Sequence, residues 1–191
     1  LAAAARVFWT FKVLGHDRVS VLDGGLMAYA RAKNALEKGA NDPRPATFTA
    51  SPDPDMALGA DGVRSLLEQR GQFVDARSAG EYVGLYRGDE AERPGTIPGA
   101  MSLPYDWVTA EGSATLRSAG ALQELFGARG ISTEGDQVHF CHSGNRAALT
   151  WFAAYAVLGN EKARLYDGSM MEWARRADLP VDQKIELCDA C

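Results

Sequence analysis

Cys141 opens the run Cys141-His142-Ser143-Gly144-Asn145-Arg146, in which four residues separate a thiol from a guanidinium. The apolar stretch Gln137-Val138-His139-Phe140 before it reads as a short buried strand, and the Ala-rich run 147–158 after it reads as a helix. A thiol on a strand-to-helix turn sits where loop amides and helix N-terminal N–H groups converge on an anion. Arg146 adds a permanent positive charge. A free cysteine titrates near ~8.5 and is only a few per cent ionised at neutral pH; such surroundings lower that value to about 7 or below, so that thiolate predominates. The chemistry this predicts is nucleophilic attack by sulfur.

A cysteine ending an apolar strand also fits as a small buried hydrophobe. Gly144 and Asn145 weigh against that reading, because both tolerate the backbone angles of a ring-shaped anion nest. The elements that would hold such a loop follow from periodicity and punctuation. Helices are predicted over 63–69, 78–83 with Ser78 as N-cap, 119–129 and 170–176. Strands are predicted over 72–75, 100–103, 137–140 and 163–166, with a Gly-, Pro- and charge-rich loop over 85–99. Short apolar strands alternating with helices argue for an α/β fold, an open and mainly parallel sheet covered on both faces. Ligands of such sheets bind beyond the carboxyl ends of the strands. Cys141 and the run Asp75-Ala76-Arg77 both fall there.

The chain resembles itself. Val13-Leu14-Gly15 matches Val157-Leu158-Gly159, Asp23-Gly24 matches Asp167-Gly168, and Met27, Tyr29 and Arg31 match Met171, Trp173 and Arg175. Every pair is 144 residues apart, which signals repeated units of nearly domain length. The expected organisation is the tail of a first unit over 1–38, a Pro- and Asp-rich linker over 39–55, a complete unit over 56–181 and a tail over 182–191. Within the first unit, a helix is expected over 3–14, a strand over 19–22 and a helix over 27–37. The same offset puts Ala2 where the second unit has Arg146, so the first unit is not expected to be catalytic. A longer tandem protein nicked or built at that loop would explain a start at Leu1. Its absent half would leave the apolar face of the first helix exposed and the isolated chain poorly soluble.

Composition narrows the partners. Of 191 residues 46% are apolar, as in a globular protein with a real core, and the formal charge of −5 gives no basic field for nucleic acid. No apolar run reaches the ~18 residues of a membrane span. The expectation is a soluble protein of cytoplasm or periplasm. Three cysteines are too few for a disulfide framework. Cys188 and Cys191 form a Cys-x-x-Cys in the tail, read as incidental thiols, with a tail disulfide or a resolving role as the alternatives.

These residues resemble the rhodanese (sulfurtransferase) superfamily. The resemblance rests on Val74-Asp75-Ala76-Arg77 with Glu81-Tyr82, on Gly95-Thr96-Ile97-Pro98-Gly99-Ala100, on the 141–146 loop, and on Tyr166-Asp167-Gly168 with Trp173. It implies a tandem layout with catalysis in the second domain, the first domain being the partner. It further implies a two-step exchange in which Cys141 takes sulfane sulfur from thiosulfate or 3-mercaptopyruvate. The resulting persulfide passes its sulfur to cyanide or a thiol, with no metal or organic cofactor. A dual-specificity phosphatase or arsenate reductase of the same fold holds one more residue between Cys and Arg, so the shorter loop here disfavours an oxyanion-sized cradle. A non-catalytic sulfur carrier or partner-binding domain is the other alternative.

The resemblance also sharpens two departures. Tandem enzymes tend to carry Arg where this chain has Glu81, which would repel an anionic donor if it pointed inward. Arg77, Arg87 and Arg93 are then the candidates to restore positive charge, although Arg77 also fits a structural pair with a carboxylate such as Glu81, and Arg87 and Arg93 fit solvated loop charges. Asp75 is expected to fix loop arginines. His142 and Ser143 are candidates to shape the loop or donate to substrate. His139 reads as a core group, and Trp107 and Trp151 fit either the pocket edge or the core.

Overall fold

The structure is a computed structural model that describes residues 1–88 and 93–187. The Cys188 and Cys191 pair lies outside the described residues. Its framework is a five-stranded parallel sheet in the order β1-β5-β4-β2-β3, with β1 at Ala57–Leu58, β2 at Gln72–Asp75, β3 at Met101–Ser102, β4 at Gln137–Phe140 and β5 at Ala163–Tyr166. Asp75 stands beside Phe140 and Val74 beside Met101, so the carboxyl ends of β2, β3 and β4 share one edge.

Strand alternation divides the core in two. Phe73, Val138, Phe140 and Tyr166 pack with Val63 of α3 (Ala60–Glu68) and with Met170 and Trp173 of α7 (Ser169–Trp173). Val74 and Leu165, one residue out of phase, join Leu122 and Phe126 of α5 (Ala119–Ala128) and Ala148 and Trp151 of α6 (Asn145–Phe152). Each face is therefore covered by helices, and buried backbone polar groups are satisfied by the parallel ladders. His139 belongs to the α6 face: its ring bonds to Thr150 Oγ1 at 3.0 Å and to Gln137 Oε1 at 2.9 Å. Burial holds its pKa down to about 3, so it is a neutral core group.

The first helix does not stand apart. One face of α1 (Ala2–Val13) buries Ala5, Phe8 and Trp9. Phe8 meets Phe152 edge-on at 4.9 Å and Trp151 at 6.2 Å between ring centroids. Phe8 and Phe152 are themselves 144 residues apart, so two equivalent helices touch through equivalent side chains. The similarity extends to the backbone. Val13 ends α1, and Val157 ends the π-helical turn Ala153–Val157 that prolongs α6. Gly25 and Ser169 open α2 (Gly25–Arg31) and α7 with φ of +61° and +51°.

Several expectations are corrected. The helix anticipated over 27–37 runs only from Gly25 to Arg31, and residues 19–22 form no strand because no neighbouring strand lies beside them. The helix anticipated over 147–158 begins at Asn145 and changes to π geometry at Ala153, where Tyr155 stacks on Trp151 at 4.8 Å. Strand β1 and the 3₁₀ turn Tyr105–Val108 were not anticipated. The exposed apolar side chains expected on the first helix lie mainly beyond it, at Leu22, Leu26, Met27, Leu36 and Phe48. Residues 39–50 form no element and are exposed. The chain then returns to α1: Ser51 N–H donates to Leu14 O and Asp53 N–H to Val13 O. Gly15, at φ +79°, lets Ser51 O approach to 2.7 Å of where a Cβ would stand. Among the described residues, no helix is long and apolar enough to cross a membrane.

Burial of Phe8 makes α1 part of the α6 face rather than an appendage. Phe8→Ala is expected to cost about 3 kcal/mol, read as a lowered urea midpoint; a change below about 0.5 kcal/mol would show α1 to be dispensable.

Candidate active site

Cys141 follows β4 directly and is buried, with 1% of its surface exposed. Its backbone is held on both sides by the β5–α7 turn. Cys141 N–H donates to Ser169 Oγ at 3.1 Å, Met170 N–H donates to Cys141 O, and Met171 N–H donates to His142 O, both at 3.0 Å. Ser169 Oγ in turn donates to Tyr166 O at 2.8 Å. The loop ends at Gly144, which caps α6 in the left-handed region at φ +80°. A side chain at this position would be strained and would collide with Asp167. The first N–H groups of α6 have no intrahelical acceptor and face the loop end of the helix, where partial positive charge accumulates.

Arg146, in the first turn of α6, forms a two-pronged pair with Glu81: Nη1 donates to Oε2 at 2.7 Å and Nη2 to Oε1 at 2.9 Å. Glu81 also closes a capping box on α4 (Ala79–Val83), accepting from Ser78 N–H at 3.1 Å and Ser78 Oγ at 2.9 Å. Burial alone would raise the Glu81 carboxyl; the hydrogen bonds from Arg146 and Ser78 outweigh it and hold the pKa at about 2. The Arg146 guanidinium is made more basic, chiefly by its bonds to Glu81 and further by the charges of Glu81, Cys141 and Asp75. Glu81 stands in the site as half of a neutralised pair, and the free inward carboxylate feared from the sequence is absent.

Arg77 and Arg93 are corrected as substrate contacts. Arg77 is 1% exposed, with Nε and Nη2 on the Asp75 carboxylate and Nη2 also on Gly95 O at 2.7 Å. Thr96 Oγ1 completes the Asp75 shell at 2.7 Å. Its partner is Asp75 and not Glu81, because both side chains leave the same strand end and turn toward the 95–96 loop. Arg93 spreads over the carbonyls of Ala174, Arg176 and Leu179 and ties its loop to the end of α7. Arg87 is exposed and, with Leu85, Tyr86, Pro94, Gln183 and Leu187, lines a hollow of about 430 Å³. The segment beside that hollow approaches the site at Tyr86 and Gly88. Tyr86 Oη lies 3.0 Å from Ser78 Oγ, and Gly88 packs so closely on the His142 ring that a methyl group there would reach within 2.4 Å of Nδ1. His142 Nδ1 is buried and makes no hydrogen bond among the described residues. Ser143 and Asn145 complete the loop, partly buried and exposed respectively.

Sequence reasoning missed Ser169, Asp167 and Arg6, all of which touch the loop from other elements; only the Asp167-Gly168 repeat hinted at the first two. Among the described residues, no cluster of His, Cys, Asp and Glu is arranged to hold a metal ion.

Comparison with known proteins places this geometry. The rhodanese-like domain family matches residues 60–176. The chain is 35% identical over 184 residues to the 3-mercaptopyruvate sulfurtransferase of Homo sapiens, covering 93% of this chain and 60% of that protein. It is 34% identical to the 3-mercaptopyruvate sulfurtransferase of Escherichia coli K12 (95% and 64% covered) and 32% identical to a putative thiosulfate sulfurtransferase of Mycobacterium bovis (94% and 66%). It therefore spans about 60–66% of the length of these relatives. A solved structure of an EanB variant in complex with ergothioneine superposes with a TM-score of 0.84 at 22% identity, covering 96% of this chain and 45% of that one. The wild-type EanB structure gives 0.81 at 24%, covering 95% and 44%. At that identity the likeness is one of fold.

Glu81 has a pH consequence. Its pKa is depressed from an ordinary 4.5 to about 2, so the stability it contributes is complete above pH 4.5 and is lost as pH falls toward 2. In urea unfolding between these values, Glu81→Gln should lose stability less steeply with falling pH than the parent; identical slopes would mean that Glu81 carries no such shift.

Proposed function

The chain belongs to the rhodanese-like domain family, and on that premise we propose that it is a sulfurtransferase working through a Cys141 persulfide. Cys141 attacks the outer sulfur of thiosulfate, the S–S bond breaks, and sulfite leaves with the bonding pair. With 3-mercaptopyruvate the C–S bond breaks instead, and the three-carbon fragment leaves as pyruvate after taking up a proton. A cyanide or thiol acceptor then attacks the terminal sulfur and restores the Cys141 thiolate. Each step leaves anionic sulfur on Cys141, as persulfide or as thiolate, so the protein's task is to keep negative charge stable at one place.

The observation that carries this reading is the placement of Cys141, buried at the carboxyl edge of the sheet between β4 and α6, with Arg146 in the first turn of that helix and the loop backbone clamped by Ser169, Met170 and Met171. Charge-assisted hydrogen bonds in such a cradle contribute roughly 1.5–3 kcal/mol each. In this reading Cys141 is the nucleophile, and His142, Ser143, Gly144, Asn145 and Arg146 form the anion cradle. Glu81 fixes Arg146, while Asp75 and Arg77 support the adjoining strand end. Arg87 lines the neighbouring hollow and is a candidate contact for an anionic donor. The 1% exposure of Cys141 favours a small donor over a bulky one. The matches of residues 1–38 to the end of the second unit at one offset, in sequence and in the helix starts and ends, support their assignment to a preceding domain.

The test combines thiosulfate:cyanide and mercaptopyruvate:thiol assays with intact mass after donor treatment. The parent should turn over and gain one sulfur, and Cys141→Ser should lose both, with turnover down about 10³-fold or more. Equal activity in the Ser variant would end the proposal. A sulfur gain without turnover would replace it with a carrier function.

A further inference from the structure

Arg6 lies on α1, outside the unit that contains Cys141, yet its guanidinium reaches the cysteine loop. Its Nη1 stands 2.6 Å from Asp167 Oδ1, and the guanidinium lies over the Trp9 ring at 4.4 Å. Both halves of this ion pair press on Gly144. A methyl group there would come within 2.7 Å of Arg6 Nη1 and 2.6 Å of Asp167 Oδ1, so only glycine admits the contact. Asp167 also begins the turn into α7, the same turn whose Ser169, Met170 and Met171 hold the backbone of Cys141 and His142. One side chain from α1 thus covers the meeting point of the β4–α6 loop and the β5–α7 turn.

The contact runs in one direction. The position equivalent to Arg6 in the second unit, 144 residues on, is Thr150, whose hydroxyl bonds to His139 and to Ala147 O within the core. The cation at this place is a property of the first segment alone. An ion pair whose side chains are 25% and 49% exposed adds little to stability. Its effect falls on geometry, since it packs Asp167 against the left-handed residue that closes the cysteine loop.

We infer that Arg6 is a positioning residue for Cys141, delivered from α1 across the boundary between the two units, which presses the Asp167 turn onto Gly144 and holds the loop in its working shape. Its kinetic consequences rest on the sulfur-transfer reading; its effect on the reactivity of Cys141 does not.

The experiment uses the full 191-residue chain with Arg6→Ala, Arg6→Lys and Asp167→Asn. Arg6→Ala should lower kcat for sulfur transfer about tenfold with KM changed less than about twofold, as expected for misplaced reacting groups. It should change the rate of Cys141 alkylation by iodoacetamide by about threefold or more, followed on the Cys141 peptide so that Cys188 and Cys191 do not contribute. The melting temperature should stay within about 2 °C of the parent. Arg6→Lys should recover at least half of both rates, and Asp167→Asn should lose them in the same direction as Ala. Parent-like kcat and alkylation in Arg6→Ala would overturn the inference. So would losses that track the melting temperature and that Lys does not restore. If the parent itself transfers no sulfur, the alkylation series still decides the role of Arg6, so the two failures remain distinguishable.

Discussion

The pair between Glu81 and Arg146 joins two elements that the chain separates by more than sixty residues, and the site depends on it. Glu81 belongs to the helix after β2 and Arg146 to the helix after β4, and those strands are neighbours in the sheet. Their carboxyl ends are therefore adjacent, and a guanidinium and a carboxylate at the two helix starts face each other across the gap. Half-buried charges of this kind are costly when either is left alone, so each constrains the other's rotamer. Arg146 is held at the start of α6, the helix that follows Cys141, and Ser78 holds Glu81 through the capping box. A local helix signal and a long-range ion pair are thus the same carboxylate.

Around that pair the cations are sorted by role. Arg77 is consumed by Asp75 inside the sheet edge, Arg93 by carbonyls at the end of α7, and Arg6 by Asp167 over Gly144. Arg93 and Arg6 bind together segments distant in sequence, and Arg77 does so through Gly95 O. Because the Arg146 charge is shared with Glu81, what stands beside Cys141 is the N–H end of α6 and one paired guanidinium. This differs from a site built by crowding positive side chains around a dianion.

Much of the scaffold was legible. Strands β2, β4 and β5 carry short apolar runs bounded by polar or glycine residues, and all three occupy the residues expected. Ser78 announced its helix as an N-cap residue. The limits of α6 and α2 were less legible, because Gly144 and Gly25 turn the chain through positive φ and then enter the helix, whereas periodicity marks only the apolar residues that follow. Residues 19–22 have the alternation of a strand, yet a strand exists only where a neighbour supplies hydrogen bonds. The turn from strand to helix that carries Cys141 and Arg146 was legible. The site was not legible in Ser169 and Arg6, whose ordinary residue types gain meaning from what lies beside them.

What the chain encodes by itself is the chemistry at a point: a thiol, a glycine able to turn left-handed, and a guanidinium at fixed short spacing after a buried strand. Short spacing limits the distances that residues 141 to 146 can adopt, so their cooperation needs no knowledge of the rest. Tertiary structure decided which charges face that point. Glu81, Asp75, Asp167 and Arg6 are all ionic side chains near the same sheet edge, and composition cannot distinguish them. Their pairing is set by strand order, by the register of β2 against β4 and by the packing of Phe8 on Phe152. Ion pairs depend on distances of a few ångströms, which only the packed core determines.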